Sequence, residues 1–231
     1  WLILSFTDLK TAVANYTSTI LTEINPDIIQ IGNEINSGLL WPQGNLINQE
    51  VQSLSLLATA SATIRAKAPN TKIMIHYAGV KASDTNWFFN KIKNVDYDYI
   101  GLSYYPIWHG KDLEVVKTAI NTLGKTYNKK VIIAETAYPF TLGYNDWTNN
   151  IVGLDSQLVS GYPATPDGQK NFVLAIKTLV KESEYGLGFA YWGGEWISFK
   201  GNQAANGSTF ENQAFYDFNN RALPVLQAFN K

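Results

Sequence analysis

Short apolar runs alternate along the chain with longer segments whose apolar positions recur every three or four residues. The first helical segment is expected over Thr7 to Ile24, with Phe6, Leu9, Val13, Tyr16 and Ile20 on one stripe and Ser5 or Thr7 as cap. IIQIGN, Ile28 to Asn33, reads as a buried strand because it is short, β-branched and preceded by Pro26 and Asp27. A helix follows from about Asn48 to Ala68, ending before Pro69. The alternation then repeats: strand Lys72 to Ala78, helix Asp84 to Lys93, strand Tyr99 to Tyr105, helix Asp112 to Tyr127. Strand Val131 to Thr136 precedes a helix from about Thr165 to Glu182, strand Leu187 to Trp192 follows, and a closing helix is expected over Asn212 to Phe229.

Near-continuous apolar strands separated by helices are the pattern of a parallel sheet covered by helices. No internal linker, repeat or charge run interrupts residues 1–231, so they read as a single domain. Two segments break the rhythm, Tyr138 to Pro163 and Gly193 to Gln213. Both follow the C-terminal end of a strand, where parallel-sheet enzymes build their sites.

Composition narrows the chemistry. The 231 residues carry 18 basic and 19 acidic side chains, a net charge of -1, which argues against a nucleic-acid surface or a polybasic membrane patch. There is no cysteine, hence no disulfide framework, thiolate metal site or thiol nucleophile. No apolar run approaches the length of a membrane span. The aromatic content is high, with 7 Trp, 13 Tyr and 11 Phe. Flat, half-polar rings suit a face that stacks on sugars, and a Trp-rich core would account for the same numbers.

The strand ends carry the informative residues. They hold Asn33-Glu34, His76-Tyr77, Tyr104-Tyr105 with Trp108-His109 beyond, Glu135-Thr136, and Tyr191-Trp192 with Glu195 beyond. Among nine glutamates, Glu34 and Glu135 are the two placed directly at the end of an otherwise apolar strand. A carboxylate there loses hydration unless it finds partners. Two carboxylates at such positions amid Trp and Tyr match glycoside hydrolysis, in which one donates a proton and the other attacks. Salt bridges at a barrel rim would account for either one alone. Asn33 could bind a sugar hydroxyl or cap the following loop, and His76 reads as a hydrogen-bond partner. No HExxH run, GxSxG elbow or Gly-rich phosphate loop occurs, so no metal or cofactor is expected.

Four segments, IIQIGNEINSGLLWPQG (Ile28 to Gly44), GLSYYPIWHG (Gly101 to Gly110), IIAETAYP (Ile132 to Pro139) and NQAFYDFNNRALP (Asn212 to Pro224), resemble glycoside hydrolase family 53. Those enzymes are arabinogalactan endo-β-1,4-galactanases. The resemblance implies an α/β fold, a retaining (β/α)8 TIM barrel of which this chain holds about five βα units, strands four to eight. It implies Glu34 as general acid/base and Glu135 as nucleophile, with carboxyl groups about 5–5.5 Å apart. Asn33 would bind the 2-hydroxyl, Trp192 would lie under the sugar at the cleavage site, and Tyr104, Trp108 and His109 would line the groove. The implied partner is a polysaccharide, (arabino)galactan of pectin, acted on by a secreted enzyme that is monomeric at full length.

Where the family shows YWEP-like sequence this chain has YWGGEWIS, which leaves a role for Glu195 open. The loop FTLGYNDWTNNIVGLDSQ lacks the DxDxHxN-like run that holds calcium in some bacterial relatives, so Asp146 and Asp155 are not expected to form that site. The pattern also implies that strands one to three precede Trp1. Related mannan- or glucan-cutting enzymes, or an inactive carbohydrate-binding fragment with an open sheet edge, remain the alternatives.

Overall fold

The computed structural model describes residues 1–230. Its strands form one parallel five-stranded sheet in chain order: β1 (Ile28–Ile31), β2 (Lys72–Ala78), β3 (Tyr99–Ser103), β4 (Lys130–Glu135) and β5 (Gly186–Phe189). Helix α1 (Phe6–Ile24) precedes β1, and between the strands lie α2 (Glu50–Lys67), α3 (Ala82–Lys91), α4 (Pro106–His109), α5 (Leu113–Tyr127) and α6 (Pro166–Glu182). The chain condenses into two compact units, Trp1–Leu102 with Thr122–Val131, and Ser103–Asn121 with Ile132–Lys231. Among the described residues no helix is long and apolar enough to cross a membrane.

In the first unit, α1 starts where Ser5 accepts a hydrogen bond from Asp8 N, which satisfies one of the free amides of the first turn. It ends at Asn25, whose φ of 46° turns the chain out of the helix. Its buried positions are Leu9, Thr17 and Leu21, while Tyr16 is exposed. The stripe therefore runs every fourth residue, and Thr17 takes the place expected for Tyr16. This face packs on α2. The α2 residue Arg65 forks onto Asp96, at 2.7 and 2.9 Å, and reaches Asp98 at 3.0 Å, which ties the helix to the approach to β3. β1 and β2 pair in parallel from Ile28 opposite Lys72 to Ile31 opposite Ile75. β2 is almost wholly buried, whereas only Ile31 of β1 is, so the expectation of a buried first strand is corrected to a half-covered one.

In the second unit, Pro166 opens α6 behind Thr165, whose side chain accepts from Gly168 N. The α6 residue Phe172 stacks on Tyr138 with centroids 4.1 Å apart. The closing helix expected over Asn212 to Phe229 is not formed. Two 3-10 turns, Glu211–Gln213 and Pro224–Phe229, flank a tight reversal instead. Asp217 Oδ1 accepts from the amides of Asn219 and Arg221, Asn220 sits at φ 60°, and Tyr216 bridges Ala222 in antiparallel fashion. Asp and Asn offer the backbone local bonds that compete with a helix, and Pro224 has no N–H to continue one.

Candidate active site

Glu34 rides on a turn where the chain leaves the strand abruptly. Gly32 follows β1 at φ 73°, and Glu34 sits at φ 47°. The left-handed region costs a residue with a Cβ roughly 1–2 kcal/mol, so the surroundings hold Glu34 against its own preference. Ile35, 3% exposed, donates its N–H to His76 O at 3.1 Å. Asn36 pairs reciprocally with Ala78 at the end of β2: Nδ2 donates to the carbonyl at 2.9 Å, and Oδ1 accepts from the amide at 2.8 Å. A Cβ on residue 32 would stand 2.5 Å from Ile35 Cγ2, so both the φ angle and the space demand glycine.

Asn33 and His76 meet in the same unit. Asn33 Oδ1 accepts from Gln30 Nε2 at 3.0 Å and lies 3.1 Å from His76 Nδ1. With that oxygen fixed as an acceptor, Nδ1 is the ring nitrogen that carries the proton. His76 is fully buried. Burial pushes its imidazole down to about 4, with the Glu34 charge opposing the shift, so at neutral pH the ring is uncharged. It orients Asn33 and adds no charge beside Glu34.

Glu135 is the last residue of β4 and is half-buried. Its carbonyl accepts from Tyr104 N at 2.8 Å, and its Oε2 accepts from the Tyr105 hydroxyl at 2.8 Å. Tyr105 is anchored in turn, because its own amide donates to His109 Nδ1 at 3.0 Å. His109 Nδ1 is therefore an acceptor, and a neutral His109 ring carries its proton on Nε2. The short α4, opened by Pro106, brings His109 back to Tyr105 and sets Trp108 edge-on against that ring at 5.2 Å. Trp108 is 54% exposed. Tyr105 and Trp108 line a small surface indentation bounded by Tyr138, Val152 and Phe210.

Adjacent tyrosines thus take opposite parts. Tyr104 is fully buried, and its hydroxyl donates to Gly110 O at 2.9 Å, so it braces the loop carrying Trp108 and His109 from within. Trp192 is half-buried between Trp196, 4.9 Å away, and Phe210, 4.5 Å away. Its amide donates to Thr136 O at 2.9 Å, which fixes the indole next to the strand that carries Glu135. Glu195 is exposed beyond it.

The two long loops contain a second pair of carboxylates. Glu211, 1% exposed, accepts through Oε1 from the amides of Asn145 at 2.6 Å and Asp146 at 3.4 Å. Asp146, 3% exposed, accepts from Thr148 N at 2.7 Å and from Ser198 Oγ at 3.0 Å. Burial pushes the Glu211 carboxyl up, and the Asp146 charge adds to the shift against the pull of the amide donors. Asp155 opens the 3-10 turn Asp155–Gln157 instead.

Of the residues expected from sequence, Asn33, Glu34 and His76 gather in the first unit, and Glu135, Trp108, His109 and Trp192 in the second. Tyr105 stands at a strand end with no role that the sequence assigns it, and Asn36 and Glu211 are not singled out by the sequence at all. Asn36 lies inside the NEIN run, and a buried acidic side chain within a polar loop leaves no mark in the pattern.

Known proteins resemble this chain along its whole length. The family profile described as Glycosyl hydrolase family 53 matches residues 1–229. An arabinogalactan endo-beta-1,4-galactanase of Cellvibrio japonicus is 33% identical over 96% of this chain and 63% of its own length. The GH53 catalytic domain of Ignisphaera aggregans superposes with a TM-score of 0.92 at 39% identity, over 100% of this chain and 67% of that one. A fungal beta-1,4-galactanase superposes with a TM-score of 0.79 at 28% identity, over 97% of this chain and 69% of its own. The chain thus spans about two thirds of the length of these relatives, and its five-stranded parallel sheet with its helices is of the TIM-barrel class.

Proposed function

The chain belongs to glycosyl hydrolase family 53, and from that premise we propose that it takes part in hydrolysing internal β-1,4-galactosidic bonds of (arabino)galactan with retention at the anomeric carbon. The observation that carries the reading is the hydrogen bond from the Tyr105 hydroxyl to Glu135 Oε2. A phenol donating to a carboxylate favours the ionised form, which a nucleophile needs.

In the first step Glu135 attacks the anomeric carbon and Glu34 gives its proton to the departing 4-oxygen. The galactosyl group is left as an ester on Glu135. In the second step Glu34 takes a proton from water as the water oxygen attacks the same carbon, which frees Glu135 and restores the acid. Acetal hydrolysis needs water and these two groups, and no cofactor. In this reading Asn33, whose oxygen meets Gln30 and His76, binds the 2-hydroxyl. Trp192 supplies the stacking platform, Trp108 and His109 line the groove, and Tyr104 supports them. The pectin side chain is the galactan source that suits such a groove, and a polymer of that size implies action outside the cell. We propose further that residues 1–231 are part of one catalytic barrel that works as a monomer.

The test is a substrate panel on the protein that carries this chain, comparing β-1,4-galactan, mannan, glucan and xylan by release of reducing ends. Galactan should be cut at least tenfold faster than the others, and Glu135→Gln should abolish cleavage. Preference for mannan or glucan would overturn the substrate. Tight binding of galactan without cleavage would point to a carbohydrate-binding protein.

A further inference from the structure

Beyond Glu135 the chain leaves β4 across a set of hydrogen bonds, one donor of which comes from a helix. Gln169 lies in the first turns of α6 and is fully buried. Taking an amide out of water is costly unless its hydrogen bonds are replaced. Its Nε2 lies within bonding range of Tyr138 O at 3.0 Å, Gln213 O at 3.2 Å, Ala214 O at 3.1 Å and the Tyr191 oxygen at 3.3 Å. The Tyr191 hydroxyl accepts from Tyr138 N at 3.0 Å and donates to Gln213 O at 2.7 Å. Both the amide and the carbonyl of Tyr138 are thereby held, three residues beyond Glu135. Tyr191 also precedes Trp192, whose amide holds Thr136 O at 2.9 Å.

We propose that Gln169 and Tyr191 are positioning residues for Glu135: from α6 and the exit of β5 they fix the strand exit so that the carboxylate meets the Tyr105 hydroxyl. The inference rests on the reading of Glu135 as nucleophile, and it extends the machinery to residues that touch no substrate. The same two side chains hold Gln213 and Ala214, so the segment after the second long loop is registered to the same point. Burial pushes the Tyr191 hydroxyl far up, so it stays a neutral donor throughout the working range.

Tyr191→Phe is the direct test, because it deletes the hydroxyl and keeps the ring that packs on Phe215 at 4.6 Å. Gln169→Met makes the same test from the helix side. Misplacement of a reacting group by about 1 Å costs on the order of a hundredfold in rate, so kcat on galactan should fall roughly 10- to 100-fold. KM for a short galacto-oligosaccharide should stay within about twofold. A crystal structure of either variant should show the Tyr105–Glu135 contact, 2.8 Å here, opened beyond hydrogen-bonding distance. Wild-type kcat with that contact intact, alongside a lowered Tm, would reduce the hub to a structural crosslink and overturn the proposal. If the wild-type protein cuts no galactan, the functional reading fails, and the contact distance in the variants still decides the positioning role.

Discussion

The Tyr105 hydroxyl donates to Glu135 Oε2 at 2.8 Å, and the same tyrosine's amide is tied to His109 Nδ1 at 3.0 Å, so the donor facing the carboxylate is itself held in place. A hydrogen bond to a charged group contributes about 1.5–3 kcal/mol. Tyr105→Phe removes it while keeping the ring that meets Trp108. The expected result is a fall in kcat of roughly 10- to 100-fold, the rate equivalent of that energy. The acid limb of the kcat/KM profile should move to higher pH, since protons compete better for an undonated carboxylate. Steady-state kinetics across pH 4 to 8 check both. An unchanged profile would remove Tyr105 from the site.

His76 makes stability depend on pH in a defined direction. Its folded value is pushed down to about 4, against an ordinary value of 6.5, by burial. Between those values the unfolded chain binds the proton that the folded chain refuses, so stability rises with pH across that window. The contribution is complete above about pH 6.5 and lost as pH falls toward 4, amounting to about 3 kcal/mol. Urea unfolding at pH 4.5, 5.5 and 7 should show this slope in the wild-type protein. His76→Gln should flatten it. A slope unaffected by the substitution would show that His76 is not the group responsible.

Glu211 acts in the opposite sense. Its carboxyl is pushed up by burial and by Asp146, so the folded state holds a proton that the unfolded chain has released. Stability from this group is present at low pH and declines as pH rises above the ordinary carboxylate range. Its Oε2 is buried without a hydrogen-bond partner among the described residues, which is where the charge costs most. Glu211→Gln keeps the oxygen that accepts from Asn145 and Asp146, and offers an N–H in place of the orphaned one. It should raise stability by roughly 1–2 kcal/mol at pH 7.5 and leave it unchanged near pH 4.5. Thermal melts at the two pH values distinguish this from a general effect, which would appear at both.

How far the fold could be read ahead follows from where information is local. β2 falls on Lys72–Ala78 as expected, because its apolar run is long and bounded by polar residues. α6 starts where Thr165 and Pro166 announce it. The closing segment misled because apolar residues at helical spacing coexist there with Asp217 and Asn220, which prefer local turns, and Pro224. The carboxylates were legible as charges at the ends of apolar strands. Which of Tyr104 and Tyr105 faces Glu135 was not, because strand alternation separates them without saying which side the neighbouring strand will cover. The left-handed backbone of Glu34 was equally hidden, since Gly32 is the residue that invites such a turn.

The roles of Glu34 and Glu135 can be separated by chemical rescue, because the two steps fail differently when each is removed. Glu34→Ala still allows Glu135 to form the glycosyl ester when the leaving group is a good one, such as dinitrophenolate, that needs no proton. The second step then lacks its base, and azide, which needs none, can replace water from the face that water would use. The product should be the β-galactosyl azide, with turnover rising on addition of azide. Glu135→Ala leaves a gap where the nucleophile stood. Azide entering that gap attacks from the opposite face, and the product should be the α-galactosyl azide. Proton NMR of the anomeric signals identifies each product directly. An α product from Glu34→Ala would reverse the two assignments, and failure of azide to restore turnover in either variant would remove the two-step mechanism from this site.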